Sequence, residues 1–285
     1  MDNSRKPNNK LKNDKKNKTK IVIACHKKCR TPHENVYIPV HAGSANNDTI
    51  KDLIRDDSGD NISEKNPIYS ELTVLYWAWK NLDCDYLGLV HYRRYFTLHS
   101  LSFRKRHHSL DCVLSSQQVR RLTSDSRVIL PKKRDYYIES IYSHYAHTFD
   151  GAHLKAAGEI ISDIYPEYRE SFDTAMRLTN GYMFNMFIME KALADDYCEW
   201  LFNILSVLET RIDTAGMTDF EKRYAGRVSE CLFNVWLLYK IKKGIIKNSE
   251  IKEIPWFYIG RIDWKKKITS FVGAKFFDKK YKESF

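Results

Sequence analysis

The residues best equipped for chemistry gather around one short apolar run. Asp85-Tyr86-Leu87-Gly88-Leu89-Val90 leads directly into His91-Tyr92-Arg93-Arg94-Tyr95-Phe96. A guanidinium stays charged at any working pH and meets two phosphate oxygens at once, so Arg93 and Arg94, with His91 beside them, suit a diphosphate. Spacing alone leaves a second reading open, in which the same arginines pair with the acidic stretch at Asp56 and Asp57. Ahead of the run lies Asp83-Cys84-Asp85, a spacing with which two carboxylates can hold a divalent metal on a diphosphate. Ligands of open α/β sheets collect beyond the carboxyl ends of the strands. Asp83 and Asp85 precede their strand, so they are expected to face away from that crevice, and no metal ligand is assigned. Manganese or magnesium is compatible with the chemistry, but no clear metal motif specifies either.

The elements that must position these residues follow from hydrophobic spacing. Residues 20–26, 36–40, 85–91, 127–131 and 181–189 read as strands, with Pro39 placing the second at an edge or a strand end. Residues 69–81 read as a helix opened by Pro67, with Leu72, Leu75, Tyr76 and Trp79 as one buried stripe. Helices are expected at 154–164, 190–211 and 221–242. Between the second strand and the first helix runs a polar loop, residues 56–67, long enough to suggest a functional loop. Strand, helix and strand alternate as in an α/β sheet.

Charge and cysteines narrow the class. The chain has 285 residues and a formal charge of +11. Residues 1–20 carry eight Lys/Arg against two acids and residues 261–285 carry eight against three, which leaves residues 21–260 neutral. A neutral body argues against a nucleic-acid groove, so no nucleic-acid partner is expected. A basic module acting through its tails at a membrane surface or on nucleic acid is the alternative to an enzyme. Cys25, Cys29, Cys84, Cys112, Cys198 and Cys231 are scattered without a C-x-x-C pair, and no secretory or membrane-spanning segment is seen, which fits a reduced, cytoplasmic setting. Cys25 and Cys29 flank His26, yet no second ligand pair follows, and buried thiols are the simpler reading.

Longer strings carry a family resemblance. Tyr69-Ser70-Glu71-Leu72-Thr73, Leu75-Tyr76-Trp77-Ala78-Trp79-Lys80-Asn81 and the segment from Asp85 to Phe96 resemble the bacterial polysaccharide-synthesis family known as domain of unknown function 4422. The likeness extends through Asp56-Asp57-Ser58-Gly59-Asp60-Asn61-Ile62-Ser63, Ile129-Leu130-Pro131-Lys132-Lys133, Tyr142-Ser143-His144-Tyr145, Asn185-Met186-Phe187-Ile188-Met189 and Val228-Ser229-Glu230, covering about residues 20–255. The resemblance implies a GT-A-like glycosyltransferase, a single α/β domain with a central mixed sheet flanked by helices and a helical C-terminal part. It implies a nucleotide-sugar donor and a lipid-linked or oligosaccharide acceptor in capsule, exopolysaccharide or O-antigen assembly. One member is similar to an inverting galactofuranosyltransferase of glycosyltransferase family 111, which makes a UDP-sugar, UDP-galactofuranose among them, the expected donor. Two positions depart from the family pattern: Cys231 stands where Arg is usual and Tyr182 where His often precedes Met-Phe-Asn. Both fall in the half that usually meets the acceptor, where Asn185 is also expected.

In such folds the end of the first strand receives the nucleotide, which makes His26 and Lys27 candidates there, against a plain surface reading. Asp57, Asn61 and Ile62 are candidates for further ribose or base contacts. A catalytic base is sought as a carboxylate on a rigid element. Glu230 lies among Leu232, Phe233, Val235 and Trp236, where partial burial would raise its pKa, and the competing reading pairs it with Arg227. His144 is the second candidate base, against a structural role. Residues 1–20 are too poor in apolar side chains to order, residues 21–255 form the catalytic domain, and residues 256–285 read as a basic amphipathic helix. The tails are expected to give peripheral contact with the inner face of an anionic membrane.

Overall fold

The structure, a computed structural model, describes residues 17–107 and 109–260. Most of the expected disordered segment, residues 1–16, and most of the expected amphipathic segment, residues 261–285, lie outside them.

Eleven strands occur among the described residues: β1 (Thr19–Cys25), β2 (Tyr37–His41), β3 (Ile54–Arg55), β4 (Tyr86–His91), β5 (Arg94–Phe96), β6 (Val128–Pro131), β7 (Arg134–Asp135), β8 (Asn180–Gly181), β9 (Phe187–Glu190), β10 (Ile251–Ile254) and β11 (Trp256–Tyr258). The helices are α1 (Asn66–Tyr69), α2 (Leu72–Asn81), α3 (Leu101–His107), α4 (Ser116–Asp125), α5 (Ile141–Thr148), α6 (Gly151–Ile164), α7 (Arg169–Arg177), α8 (Lys191–Arg211) and α9 (Tyr224–Lys242). The main sheet runs β10-β6-β9-β4-β1-β2-β3, with β5 hanging from β4 and β11 from β5, while β7 and β8 form a separate ribbon. β1 is parallel to β2 and β4, whereas β9 runs antiparallel to β4 and β6, so the sheet is mixed as expected.

Side chains alternate across the sheet with a period of two. Val22, Leu87, Leu89, Val128, Leu130, Phe187 and Met189 face the layer that holds α2, α6, α8 and α9. Ile21, Ile23, Val90, Ile129 and Ile188 face the opposite layer with Val119 and Leu122 of α4 and with Tyr95 and Phe257. Gly88 is needed at the centre, because a Cβ there would stand 3.0 Å from Ile188 and 3.1 Å from Ile21. Pro39 is tolerated in β2 because β3 pairs only with Val40 and His41.

Four expectations change. The helix expected over 69–81 is broken into α1 and α2, because Ser70 takes φ 52° and the Asn66 amide donates to Ser70 O at 2.8 Å. Within α2 the buried face is Leu72, Val74, Leu75, Trp77 and Ala78, and Tyr76 and Trp79 are only partly covered, since the break resets the helical phase. The strand expected over 181–189 separates into β8 and β9, with Phe184 and Asn185 at φ 78° and 48° between them. At the ends of the chain, β1 already begins at Thr19, and the segment from residue 256 opens with β11. No helix of the described residues is long and apolar enough to cross a membrane.

Candidate active site

β1 and β4 are parallel neighbours with Ala24 opposite His91, so His26 and the His91–Arg94 turn leave the same edge of the sheet side by side. The Tyr92 N–H donates to Ala24 O at 3.2 Å and ties the two exits together. His26 packs edge-on to Tyr92 at 4.7 Å, Lys27 Nζ lies 5.7 Å from that ring, and Arg93 lies 5.0 Å from it. The Arg93 guanidinium donates to Tyr258 Oη at 2.9 Å. Arg94 sits over Phe184 at 4.8 Å and near Tyr258 at 6.0 Å. Among the described residues neither arginine forms an ion pair with a carboxylate, and Asp57 is paired with Arg55 instead. The reading in which Arg93 and Arg94 serve Asp56 and Asp57 is thereby overturned. Two adjacent guanidiniums resting on aromatic rings without a counter-ion are prepared for an external anion.

Glu230 comes to the same place from α9. Burial and the nearby Glu71 carboxylate raise its pKa to about 7, against the pull of Arg94, the Phe184 backbone and Arg134. It is not paired with Arg227, whose guanidinium stacks on Phe220 and Phe149 at 3.9 and 4.2 Å and whose pKa falls to about 10, chiefly through burial. His91 hydrogen-bonds through its ring to the Phe184 carbonyl, and burial keeps its pKa below the usual value, so that Nε2–H donates. His26 is open to solvent yet crowded, and burial followed by Arg223 and Lys27 lowers its pKa to about 4.

Of the remaining candidates, Asn185 lies behind the crevice and the others fall elsewhere. Asn185 is 5% exposed and donates its amide to Glu71 Oε1 at 2.7 Å and to Gly226 O at 2.9 Å. Tyr182 turns its hydroxyl to Glu253 and its backbone to Asn234. His144 is held by Glu139 at 2.9 Å and stacks on Tyr136 at 4.2 Å, and Glu139 also takes His147 at 2.7 Å. Asn61 closes its own turn on Gly59 O and the Ser63 N–H. Ile62 packs on the main core beside a groove between α2 and α8 lined by Trp79 and Phe202. Neither that groove nor the one along α6 and α7 borders the crevice. Asp83 and Asp85 stand at the far end of β4, where Asp83 pairs with Lys18 at 2.5 Å and Asp85 accepts the Lys18 N–H. Among the described residues no three His, Cys, Asp or Glu side chains converge as a metal site. Cys25 and Cys29 touch, Sγ to Sγ at 3.6 Å.

Glu71, Arg223, Phe184 and Tyr258 belong to the crevice although spacing did not single them out, and Arg227, weighed only as a partner for Glu230, lies near them. Tyr258 depends on a β5–β11 pairing between segments more than 150 residues apart, Tyr258 opposite Arg94.

The architecture matches one known structure closely. The chain aligns with the bifunctional glycosyltransferase WbbM at a TM-score of 0.77 and 31% identity, over 86% of this chain and 46% of that one. The chain thus spans less than half the length of that protein. No curated protein sequence matches it. The fold is GT-A-like, as the resemblance implied. Residues 20–242 match the family described as Domain of unknown function (DUF4422), and the chain belongs to that family.

Proposed function

We propose that the chain is a glycosyltransferase that moves a sugar from a nucleotide diphosphate donor, a UDP-sugar such as UDP-galactofuranose, to a hydroxyl of a growing glycan. The observation that carries this reading is the Arg93-Arg94 pair at the strand-end crevice, in no ion pair among the described residues, with a carboxyl of near-neutral pKa close to Arg94. Donor transfer needs two things of a protein: neutralising charge on the departing diphosphate and removing a proton from the acceptor. Arg93 and Arg94 supply the first. Glu230 supplies the second, since a base works best with a pKa near the operating pH. Attack on the face opposite the diphosphate would invert the anomeric centre. His26 and Lys27, beside Tyr92, receive the nucleotide, and the acceptor enters from the side of Glu230 and Tyr136. The acceptor class is a lipid-linked capsular, exopolysaccharide or O-antigen chain, and the basic tails hold the enzyme at the membrane that carries it.

A thermal-shift screen of UDP, GDP, CMP and dTDP sugars, with and without manganese, tests the reading, followed by Arg93→Ala and Arg94→Ala. Each loses a charge-assisted bond worth about 1.5–3 kcal/mol, so the dissociation constant of the stabilising nucleotide is expected to rise roughly 10- to 100-fold. Wild-type affinity in both variants would remove the diphosphate site from this turn.

A further inference from the structure

We propose that Glu71 is a positioning residue of this crevice: clamped by Asn185 against α9, its carboxylate is the fixed anion beside which Glu230 takes the acceptor proton. The inference rests on the glycosyltransferase reading for its chemistry, though not for its geometry.

Two segments distant in sequence are bent to bring these groups to α9. Ser70 turns the chain between α1 and α2 at φ 52° and ψ −128°, and Phe184 and Asn185 occupy left-handed backbone at φ 78° and 48°. Such residues cost on the order of 1–3 kcal/mol each and persist where the surroundings hold them. Asn66 holds the Ser70 bend, and the Asn185 amide ties the second bend to Glu71 and α9. One N–H reaches Glu71 Oε1 at 2.7 Å, Nδ2 also donates to Gly226 O at 2.9 Å, and Oδ1 accepts from Ser229 Oγ at 3.0 Å. Only an amide can give to a carboxylate and a carbonyl while accepting from a hydroxyl. Gly226 lies one helical turn before Glu230 and Ser229 adjoins it, so the clamp grips the turn of α9 that carries Glu230.

The groups facing Glu230 come from every neighbouring element. Glu71 precedes α2, Arg94 lies on β5, Arg134 on β7, and Phe184 contributes backbone. The charge of Glu230 in turn acts on Tyr136, Tyr145, Tyr197, Cys231 and Arg227. The two arginines favour the ionised form, and Glu71 is the carboxylate that opposes them. The charge of Glu71 also acts on His26, His91 and Arg227, raising the pKa of each. In the step itself the acceptor oxygen bonds to the anomeric carbon as its proton passes to the Glu230 carboxylate. The carbon–oxygen bond to the diphosphate breaks, and its electron pair leaves with the diphosphate.

Glu71→Gln tests this, because the glutamine oxygen still accepts from Asn185 while the charge is gone. The acid limb of kcat/KM, which reports the free enzyme, is expected to move to lower pH with donor KM within about twofold. For a shift of one unit the variant would show roughly a fivefold larger share of its own plateau rate at pH 6. The Glu230 carboxyl, followed by carbon-13 NMR titration and assigned through Glu230→Gln, is expected to shift its midpoint the same way without any substrate. If wild type turns over no nucleotide sugar, the transferase reading fails while the titration still judges Glu71. An unmoved midpoint in Glu71→Gln overturns the inference, as does a rate loss confined to donor KM. If Glu71→Gln does not fold, Glu71→Asp withdraws the charge from the crevice and should give a smaller shift of the same sign, and no shift there would equally overturn the inference.

Discussion

At the scale of single residues, the crevice works by setting unlike charges where none is fully neutralised. Glu230 illustrates the consequence for stability. Its folded pKa of about 7 lies above the ordinary carboxyl value of 4.5, so the native state binds the proton that the unfolded chain has released. Its contribution is therefore full below about pH 4.5, is lost as pH rises to about 7, and stays lost above that. His26 and His91 act in the opposite sense, because their lowered pKa values withhold stability until pH rises toward the unfolded histidine range. The net slope mixes the two, and the difference between wild type and Glu230→Gln separates them. Urea unfolding from pH 4.5 to 8 is expected to show the variant gaining relative stability across that window, by on the order of 2–3 kcal/mol at the upper end. A constant difference would mean that Glu230 titrates normally.

At the scale of elements, the polar loop at 56–67 has a structural centre. Asp56 is fully buried and accepts the Gly43 and Ser44 N–H groups at 2.8 and 2.9 Å, with the Ser44 and Thr73 hydroxyls at 2.7 and 2.6 Å. It joins the end of β2, the loop and the start of α2, and so fixes the bend that presents Glu71. Gly43 must stay glycine, because its φ of +68° would bring a Cβ within 2.5 Å of Asn66. Asp56→Ala leaves these donors buried without an acceptor and is expected to cost about 3–5 kcal/mol in urea unfolding. A loss under about 1 kcal/mol would show that water satisfies them instead. The loop expected to touch the nucleotide thus does much of its work by shaping the crevice from behind.

At the scale of the whole molecule, the parallel β1–β4 pair and the β5–β11 extension build the crevice on one edge of the sheet. The carboxylates Asp83 and Asp85 are left at the other. The positive charge of the sequence is concentrated in residues 1–20 and 261–285, and residues 21–260 are neutral. Removing residues 261–285 is expected to leave turnover of a soluble acceptor within about twofold while reducing co-sedimentation with anionic vesicles several-fold, since each basic residue near such a surface contributes about 1 kcal/mol. Equal sedimentation of both forms would assign membrane contact to another surface.

The sequence by itself determined the elements that repeat a simple period. The strands β1, β4 and β6, the long helices α8 and α9 and the α/β alternation all follow from apolar spacing. The His91–Arg94 turn at a strand end follows from the same pattern, because local periodicity and strand polarity are properties of short segments. Tertiary structure decided the rest. Ser70, Phe184 and Asn185 carry no glycine or proline signal, and their left-handed backbone exists only because Asn66 and the Asn185 clamp hold it. The partners of Arg93 and Arg94 were likewise undecided by spacing. The aromatic rings of Tyr92, Phe184 and Tyr258 reach them from three segments, and Asp57 had already been taken by Arg55. Which charges meet in a crevice depends on chain crossings that no local pattern encodes.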